Sequence, residues 1–179
     1  MGLIQVDHFT VTSNVTSVII GGGSSGSSTT NFAINTDDVY MLTFHSLYMS
    51  VDGRVPNVRL TVGGSADSNA NYDRSGKTMY SNQGFSNPGD VNLTQFNMLS
   101  CGTTQVESQQ GVFYLYNFND SNKASFVQEE MAIATETPEY SGAMGGFALT
   151  THQACDGVQF VANANAIANG VFTLYKVVS

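Results

Sequence analysis

The chain carries little charge, and cationic residues are the scarcest of its charged groups. Six of its 179 residues are Lys or Arg and fourteen are Asp or Glu, so its formal charge is −8. A nucleic-acid surface needs clustered cations that displace counterions from phosphates, so this composition argues against a nucleic-acid partner. The same charge repels anionic lipid headgroups, and no apolar run approaches the roughly 20 residues of a membrane span. We therefore expect neither nucleic-acid binding nor membrane insertion.

Cysteine is also scarce, since the chain has only Cys101 and Cys155, far apart in sequence. The first residues lack the basic region, apolar core and small-residue cleavage site of a secretory signal, so we expect synthesis and retention in a cytosol. Thiols stay reduced in that compartment. We therefore predict that Cys101 and Cys155 are buried core thiols rather than a disulfide.

Motifs for catalysis are missing as well. The glycine-rich tract near the start of the chain lacks the Lys-Ser or Lys-Thr of a phosphate loop. The acidic residues Glu129 and Glu130 are adjacent and would point to opposite faces of a strand, whereas glycoside cleavage needs two carboxylates across one cleft. On a strand, His152, Cys155 and Asp156 likewise cannot form a nucleophile, a base and an orienting group. We predict no enzyme activity, no catalytic residues and no cofactor.

Oxygen-bearing side chains alternate along residues 67–73, at Asp67, Asn69, Asn71 and Asp73. This spacing is that of the first half of an EF-hand calcium loop. The full template also requires a glycine at its sixth position and a glutamate at its twelfth, and the sequence has neither there. The EF-hand reading therefore fails, and two alternatives remain open for this segment: a looser surface calcium site, or a solvated loop rich in turn-forming residues.

His152 and Cys155 also have a spacing that suits a zinc ligand pair, but such a site needs two more ligands. The remaining candidates are Cys101, His8 and His45, and no two of them are closely spaced. We therefore predict no metal site, with buried cysteines and surface histidines instead.

Three tyrosines, Tyr72, Tyr80 and Tyr140, fall in predicted loops beside Asn, Ser and Asp residues. This composition suits stacking on sugar rings and hydrogen bonding to them. Exposed tyrosines are also common at subunit contacts and on ordinary β-protein surfaces. Glycan binding, a subunit interface and a plain surface role therefore stay open for these residues.

The rest of the sequence is typical of a folded domain, since 41% of its residues are hydrophobic. A chain of this length fits one domain that can bury a sizeable core. A Gly/Ser-rich tract at residues 21–30 separates the first twenty residues from the remainder. We predict an N-terminal β segment plus linker or loop at 1–30, and a jelly-roll domain at 31–179. The first segment is either a short arm that reaches a neighbouring subunit or surface, or part of one sandwich with a long loop.

Short runs of β-branched and aromatic residues, separated by turn signals, predict an all-β antiparallel sandwich or jelly roll. In the run 38–51, Tyr40, Leu42 and Phe44 share one face of a strand, although a helix is a rival reading there. Residues 124–135 are read as a strand, with a helix as the alternative, and residues 65–90 as mostly loop with a strand near 78–80. Predicted strands lie at residues 3–11, 15–20, 38–51, 58–62, 92–99, 111–118, 124–135, 147–149, 158–162 and 171–178.

The sequence ends on the β-prone run Gly170-Val-Phe-Thr-Leu-Tyr-Lys-Val-Val178, in which both faces carry large side chains and only Lys176 interrupts one of them. This pattern predicts a central strand. The run resembles the closing strand of a family of small β-jelly-roll modules found in virion proteins of tailed bacteriophages. Segments similar to that family precede it in the same order, at residues 35–44, 57–62, 111–120, 156–160 and 167–170.

The resemblance implies a non-catalytic jelly-roll subunit of a phage virion, assembled as a homo-oligomer, commonly a trimer, with other capsid or tail proteins. It implies synthesis in the host cytoplasm and a final location in the virion. The family includes head-fibre, capsid-decoration and tail-fibre types. Only about thirty residues precede the module, so a short decoration, vertex or adaptor-like protein fits better than a complete fibre. The alternative function is a receptor- or glycan-binding module of the same fold, with a host surface glycan as its partner.

Overall fold

The computed structural model describes residues 2–36, 38–134 and 140–178. Asp37, within the segment 35–44, and Thr135, at the end of the predicted strand 124–135, lie outside the described residues. The described residues form fourteen strands and two single-turn 3-10 helices, Gly23–Ser25 and Gln105–Glu107. The strands are Gly2–Val11 (β1), Ser17–Gly21 (β2), Tyr40–Met49 (β3), Asn57–Val62 (β4), Ser65–Ala66 (β5), Tyr72–Tyr80 (β6), Gly84–Ser86 (β7), Gly89–Leu93 (β8), Phe96–Asn97 (β9), Gln109–Tyr116 (β10), Ser125–Ala134 (β11), Tyr140–Leu149 (β12), Cys155–Val161 (β13) and Ile167–Val178 (β14).

The strands of the described residues form two antiparallel sheets. The large sheet has nine strands in the order β1-β14-β3-β10-β11-β12-β6-β7, with β8 also paired to β6. The small sheet has five, in the order β2-β13-β4-β5, with β9 also paired to β4. The two sheets pack face to face, so the predicted all-β antiparallel sandwich is confirmed.

Residues 38–51 and 124–135, for which a helix was the alternative, contain the strands β3 and β11. The alternation between buried and exposed residues in these segments explains why they form strands. In β11, every second side chain from Ser125 to Ile133 is buried and those between are exposed. In β3, Tyr40, Leu42 and Phe44 are buried on one face, as predicted. Successive side chains of a strand point to opposite faces of the sheet, so one set packs against the small sheet and the other set lies on the outer face.

Phenylalanine rings from both sheets meet in the centre of the core. Phe160 of the small sheet lies between three rings of the large sheet, with centroids 5.5 Å from Phe44, 5.9 Å from Phe113 and 4.7 Å from Phe172. A second contact stacks Phe96 of β9 on Phe147 of β12 at 4.6 Å. These rings bury large apolar areas and join the sheets.

The N-terminal segment contributes one strand to each sheet. Strand β1 pairs with β14 in the large sheet, and β2 pairs with β13 in the small one. The buried carboxylate of Asp7 accepts hydrogen bonds from the Gly21 amide and the Thr30 hydroxyl, both at 2.8 Å. One side chain of β1 thus fixes both ends of the Gly/Ser-rich tract.

The closing strand β14 lies between β1 and β3 and is paired along both edges. Leu174 and Phe172 are fully buried opposite Leu42 and Phe44. The strand is therefore an interior one, although it is second from the β1 edge rather than central, its last four residues are half-buried, and it begins earlier than predicted, at Ile167.

The prediction that residues 65–90 are mostly loop is wrong. They contain the nine-residue strand β6 and the short strands β5 and β7, and β8 begins at Gly89. The predicted strand at 92–99 is also wrong, because the chain crosses between the sheets there: β8 pairs with β6 in the large sheet and β9 pairs with β4 in the small one. The predicted strand at 147–149 is the end of the longer β12.

Candidate functional site

A cleft of about 680 Å³ opens between the β6 side of the large sheet and the β4–β9 side of the small sheet. The large sheet contributes residues of β6, β11 and β12, and the small sheet contributes residues of β4 and β9. Its volume is within the range of about 300–1,000 Å³ that is usual for small-molecule sites. The cleft is therefore a candidate binding site.

The register of four neighbouring strands places glycines beside Glu129. Phe113, Glu129, Gly145 and Gly76 lie directly opposite one another on β10, β11, β12 and β6. Side chains paired in this way share one face of a sheet, and glycine has no side chain. The inner face therefore changes from a large ring at Phe113 to two positions without side chains beyond Glu129.

Glu129 is the charged residue in the buried row of β11, where its neighbours on the same face are Val127 and Met131. It is 5% exposed, and its Oε2 atom has no hydrogen-bond partner among the described residues. Burial raises the pKa of this carboxyl group to about 7, and the nearby Arg74 guanidinium opposes that rise. A Cβ atom at Gly76 would lie 3.7 Å from Glu129 Oε1, so this oxygen is next to the glycine.

Arg74 of β6 is fixed beside the cleft by three contacts. Its Nε donates a hydrogen bond to Asp90 Oδ2 at 2.8 Å, and its Nη1 donates one to the Asn97 carbonyl at 3.0 Å. The guanidinium carbon also lies 5.8 Å from the centroid of Phe96. Arg74 thereby connects β6, β8 and β9 and places a positive charge near Glu129.

Two more cationic residues, Arg54 and Lys77, line the cleft, so it contains three of the six Lys and Arg residues of the chain. The Lys77 ammonium lies 4.1 Å from the centroid of Phe85. Glu129 is the only acidic residue among the described residues of the lining. The cleft is thus locally cationic in an acidic protein. Its neutral polar lining residues include Asn57, Thr78, Tyr80, Ser86, Gln95, Asn97 and Asn163.

A second, shallower groove of about 410 Å³ crosses β11, β12 and β6. Its lining includes Tyr116, Phe126, Gly145 and Gly146, and Phe126 is 48% exposed. Tyr116 is paired with Phe126 on adjacent strands, so the two rings share one face. This groove is mainly apolar, whereas the cleft is mainly polar.

The structure separates the three tyrosines that the sequence grouped together. Tyr72 is fully buried at the start of β6, where its hydroxyl accepts a hydrogen bond from the Leu60 amide and donates one to the Asp67 carbonyl, both at 2.9 Å. Tyr80 is the last residue of β6 and lines the cleft, and Tyr140 is exposed at the start of β12. The prediction that these three tyrosines lie in loops is therefore wrong.

The two carboxylates of the segment 67–73 have separate partners. Asp67 is buried and accepts hydrogen bonds from the Asn69 amide and from Gln153 Nε2, both at 2.9 Å. Asp73 accepts one from the Asn92 amide. Within residues 2–36, 38–134 and 140–178, no three His, Cys, Asp or Glu side chains come together in a cluster that could hold a metal ion.

The structure also separates the side chains of His152, Cys155 and Asp156, which the sequence places close together. Cys155 is buried in β13 and His152 is exposed. The Asp156 carboxylate accepts hydrogen bonds from the Thr61 hydroxyl at 2.6 Å and the Gly64 amide at 2.8 Å, which fixes the turn after β4. These three side chains therefore have three different environments.

Both cysteines are buried and free, as predicted. Burial raises the pKa of Cys101 to about 12 and that of Cys155 to about 11. Nucleophilic cysteines have a lowered thiol pKa, so the environments of Cys101 and Cys155 are those of core residues.

No protein-family model matches the chain, and neither a curated protein nor a solved structure shows significant similarity to it. In the described part of the chain, no helix has the length and apolar character needed to cross a bilayer.

No sequence pattern predicts the cleft. Glu129 is recognisable in the sequence only as half of an acidic pair, and Arg74 falls in the predicted loop 65–90. One available signal was the alternation Val127, Glu129, Met131, which places a carboxyl group at an inward position.

Proposed function

We propose that this protein is a non-catalytic structural subunit of a bacteriophage virion, which assembles with copies of itself and with other proteins of the capsid or the tail. The ordered segments that resemble the phage jelly-roll family support this proposal, and so does the confirmed β-sandwich. A trimer is the oligomer that the resemblance favours. We further propose that the protein is made in the host cytoplasm and is then incorporated into the virion.

The observation that carries the proposal is the apolar character of both ends of the large sheet. Strand β1 is ten residues long and pairs with β14 alone among the described strands. Leu3 and Ile4 on this strand are 50% and 53% exposed. At the opposite end, Phe85 of β7 is 69% exposed and Val91 of β8 is 66% exposed. A long unpaired edge with apolar side chains promotes association between chains, and a closed homo-oligomer covers it.

Light scattering of the purified protein tests this association. We expect an oligomer at micromolar concentration and expect Ile4→Lys to shift it toward monomer, because a charge on an edge strand opposes pairing. Val106→Lys is the matched control, since Val106 is 80% exposed in a 3-10 turn away from both edges. A monomeric wild-type protein at this concentration would contradict the proposal.

The cleft supports the non-catalytic part of the proposal. Glycoside cleavage generally uses two carboxyl groups on either side of the scissile bond. The described lining of the cleft contains a single one, that of Glu129. Hydrolysis of a polysaccharide by the purified protein would contradict this part.

The second candidate function is a receptor- or glycan-binding module, which can share this fold and the same particle. The specific observation in its favour is the size and polarity of the cleft, with its amide, hydroxyl and guanidinium groups. Binding of the purified protein to a printed array of bacterial and animal glycans tests it, and an array without any bound glycan would count against it.

A further inference from the structure

We infer that the cleft is a carbohydrate-binding site in which a hydroxyl group of the ligand forms a hydrogen bond with the carboxyl group of Glu129. This inference rests on the second candidate function, glycan binding, and adds to it a location and a recognition group.

The first argument is the unused hydrogen-bonding capacity of Glu129. Nearly all buried polar side-chain atoms in proteins have a hydrogen-bond partner. Glu129 Oε2 is buried and has no hydrogen-bond partner among the described residues. The neighbouring inward positions on β11, Val127 and Met131, are apolar and offer none. A carboxyl group at such a position costs stability. A ligand in the cleft would supply the missing partner.

The second argument concerns the charge of that partner. A cationic ligand at Glu129 would lie close to the Arg74 guanidinium, which already acts on the same carboxyl group. Arg54, Arg74 and Lys77 favour an anionic group elsewhere in the cleft, but at Glu129 itself such a group would face the carboxylate whenever the carboxyl group is ionised. A metal ion would need further ligands, and the described residues provide no such cluster. A neutral hydroxyl group avoids each of these costs, because it donates to an ionised carboxyl group and accepts from a protonated one.

The third argument is the composition of the remaining lining. Phe96, Met98, Met131 and Ala143 provide apolar surface, and Asn57, Gln95, Asn97 and Asn163 provide polar side-chain amides. A sugar ring has an apolar face of C–H groups and a polar rim of hydroxyls. Sites for such amphipathic ligands combine apolar walls with a few polar groups that fix orientation.

The fourth argument is the position of the carboxyl group at the cleft. Gly76 and Glu129 both line the cleft, and a Cβ atom at Gly76 would lie 3.7 Å from Glu129 Oε1. That Cβ atom would also lie 2.9 Å from the Met144 carbonyl oxygen, so the close strand approach itself requires glycine. The same register that packs these strands therefore leaves no side chain of β6 between Glu129 and the cleft.

The test begins with the printed glycan array, followed by calorimetric titration of the glycan that binds most strongly. We expect Glu129→Leu to weaken its binding about ten- to hundredfold, because a hydrogen bond to a charged group is lost. Glu129→Gln keeps one acceptor oxygen and should weaken binding less, by about tenfold. Glu130→Leu is the matched control, since Glu130 is exposed on the other face of the same strand, and its binding should stay within about twofold of wild type.

The outcomes separate this inference from the function on which it rests. Loss of binding in Glu129→Leu, with Glu130→Leu unaffected and both variants folded by circular dichroism, supports the site. Unchanged binding in Glu129→Leu overturns the site while glycan binding itself stands. In that case, loss of binding in Phe126→Ala would assign the glycan to the apolar groove instead. An array with no bound glycan overturns both the site and the second candidate function.

Discussion

Replacing Glu129 with glutamine should remove a loss of stability that the wild-type protein undergoes as the pH rises from 5 to 8.5. Burial raises the pKa of the Glu129 carboxyl group from its ordinary value of 4.5 to about 7. Between these two values the folded protein holds a proton that the unfolded chain has released. The stability that this group contributes is therefore fully present below about pH 4.5 and is lost as the pH rises through 7.

The magnitude follows from the same two values. Each tenfold change in the proton affinity of one group is worth about 1.4 kcal/mol, so the ionised Glu129 costs the folded protein about 3 kcal/mol above pH 8. The side chain is 5% exposed, so solvent screens this cost little. Glutamine cannot ionise, and the penalty for its buried amide is the same at every pH. The difference between variant and wild type should therefore change by about 2 to 3 kcal/mol from pH 5 to pH 8.5.

Urea denaturation of both proteins across this pH range measures the difference. Subtracting the two curves removes the contribution of every other titrating group. The matched control is Glu130→Gln, which makes the same replacement on the exposed face of the same strand. A difference between Glu129→Gln and wild type that is constant from pH 5 to pH 8.5 would refute the reasoning.

Three further predictions concern the core. Leu174→Asp should give insoluble or unfolded protein, because it places an unpaired charge in a fully buried position; a soluble product with a native circular dichroism spectrum would show that β14 is wrongly placed. Tyr72→Phe should lower the free energy of unfolding by about 1 to 3 kcal/mol in urea, because two buried backbone groups lose their partner, and an unchanged value would contradict their burial. Cys101 and Cys155 should react with a disulfide reagent only after denaturation, since burial raises both thiol pKa values; fast labelling of the native protein would contradict this.

The strands that could be predicted are those whose own sequence alternates between apolar and polar residues. Strands β3 and β11 alternate in this way, and their buried faces match that pattern. In the closing strand β14, the large side chains on both faces predicted a strand covered on both sides; β14 is paired along both edges, and its residues from Phe172 to Leu174 are buried, whereas Tyr175 to Val178 are half-buried.

Strand β6 could not be recognised by that rule. Its inward positions after Tyr72 are Arg74, Gly76 and Thr78, so no apolar face is visible in the sequence. What holds β6 in the sheet is its nine-residue pairing with β12. Such pairing depends on the backbone and on distant residues, and a local hydrophobic pattern does not report it.

The candidate site was predicted only in part, for the same reason. That Glu129 and Glu130 lie on opposite faces follows from the period of a strand, and the structure agrees. The cleft itself depends on the register that brings Gly76 and Gly145 beside Glu129. Cross-strand register between distant segments is set by the whole sheet, so no motif in the sequence marks this site.

The proposed place of this protein in a virion can be measured directly. Particles assembled by the genome that encodes the chain can be purified, their proteins quantified by mass spectrometry, and their density examined by cryo-electron microscopy. The account predicts that the chain is present in a fixed copy number and that its β-sandwich fits symmetric density on the capsid or the tail. Purified particles that lack the chain, while the lysate contains it, would contradict the account.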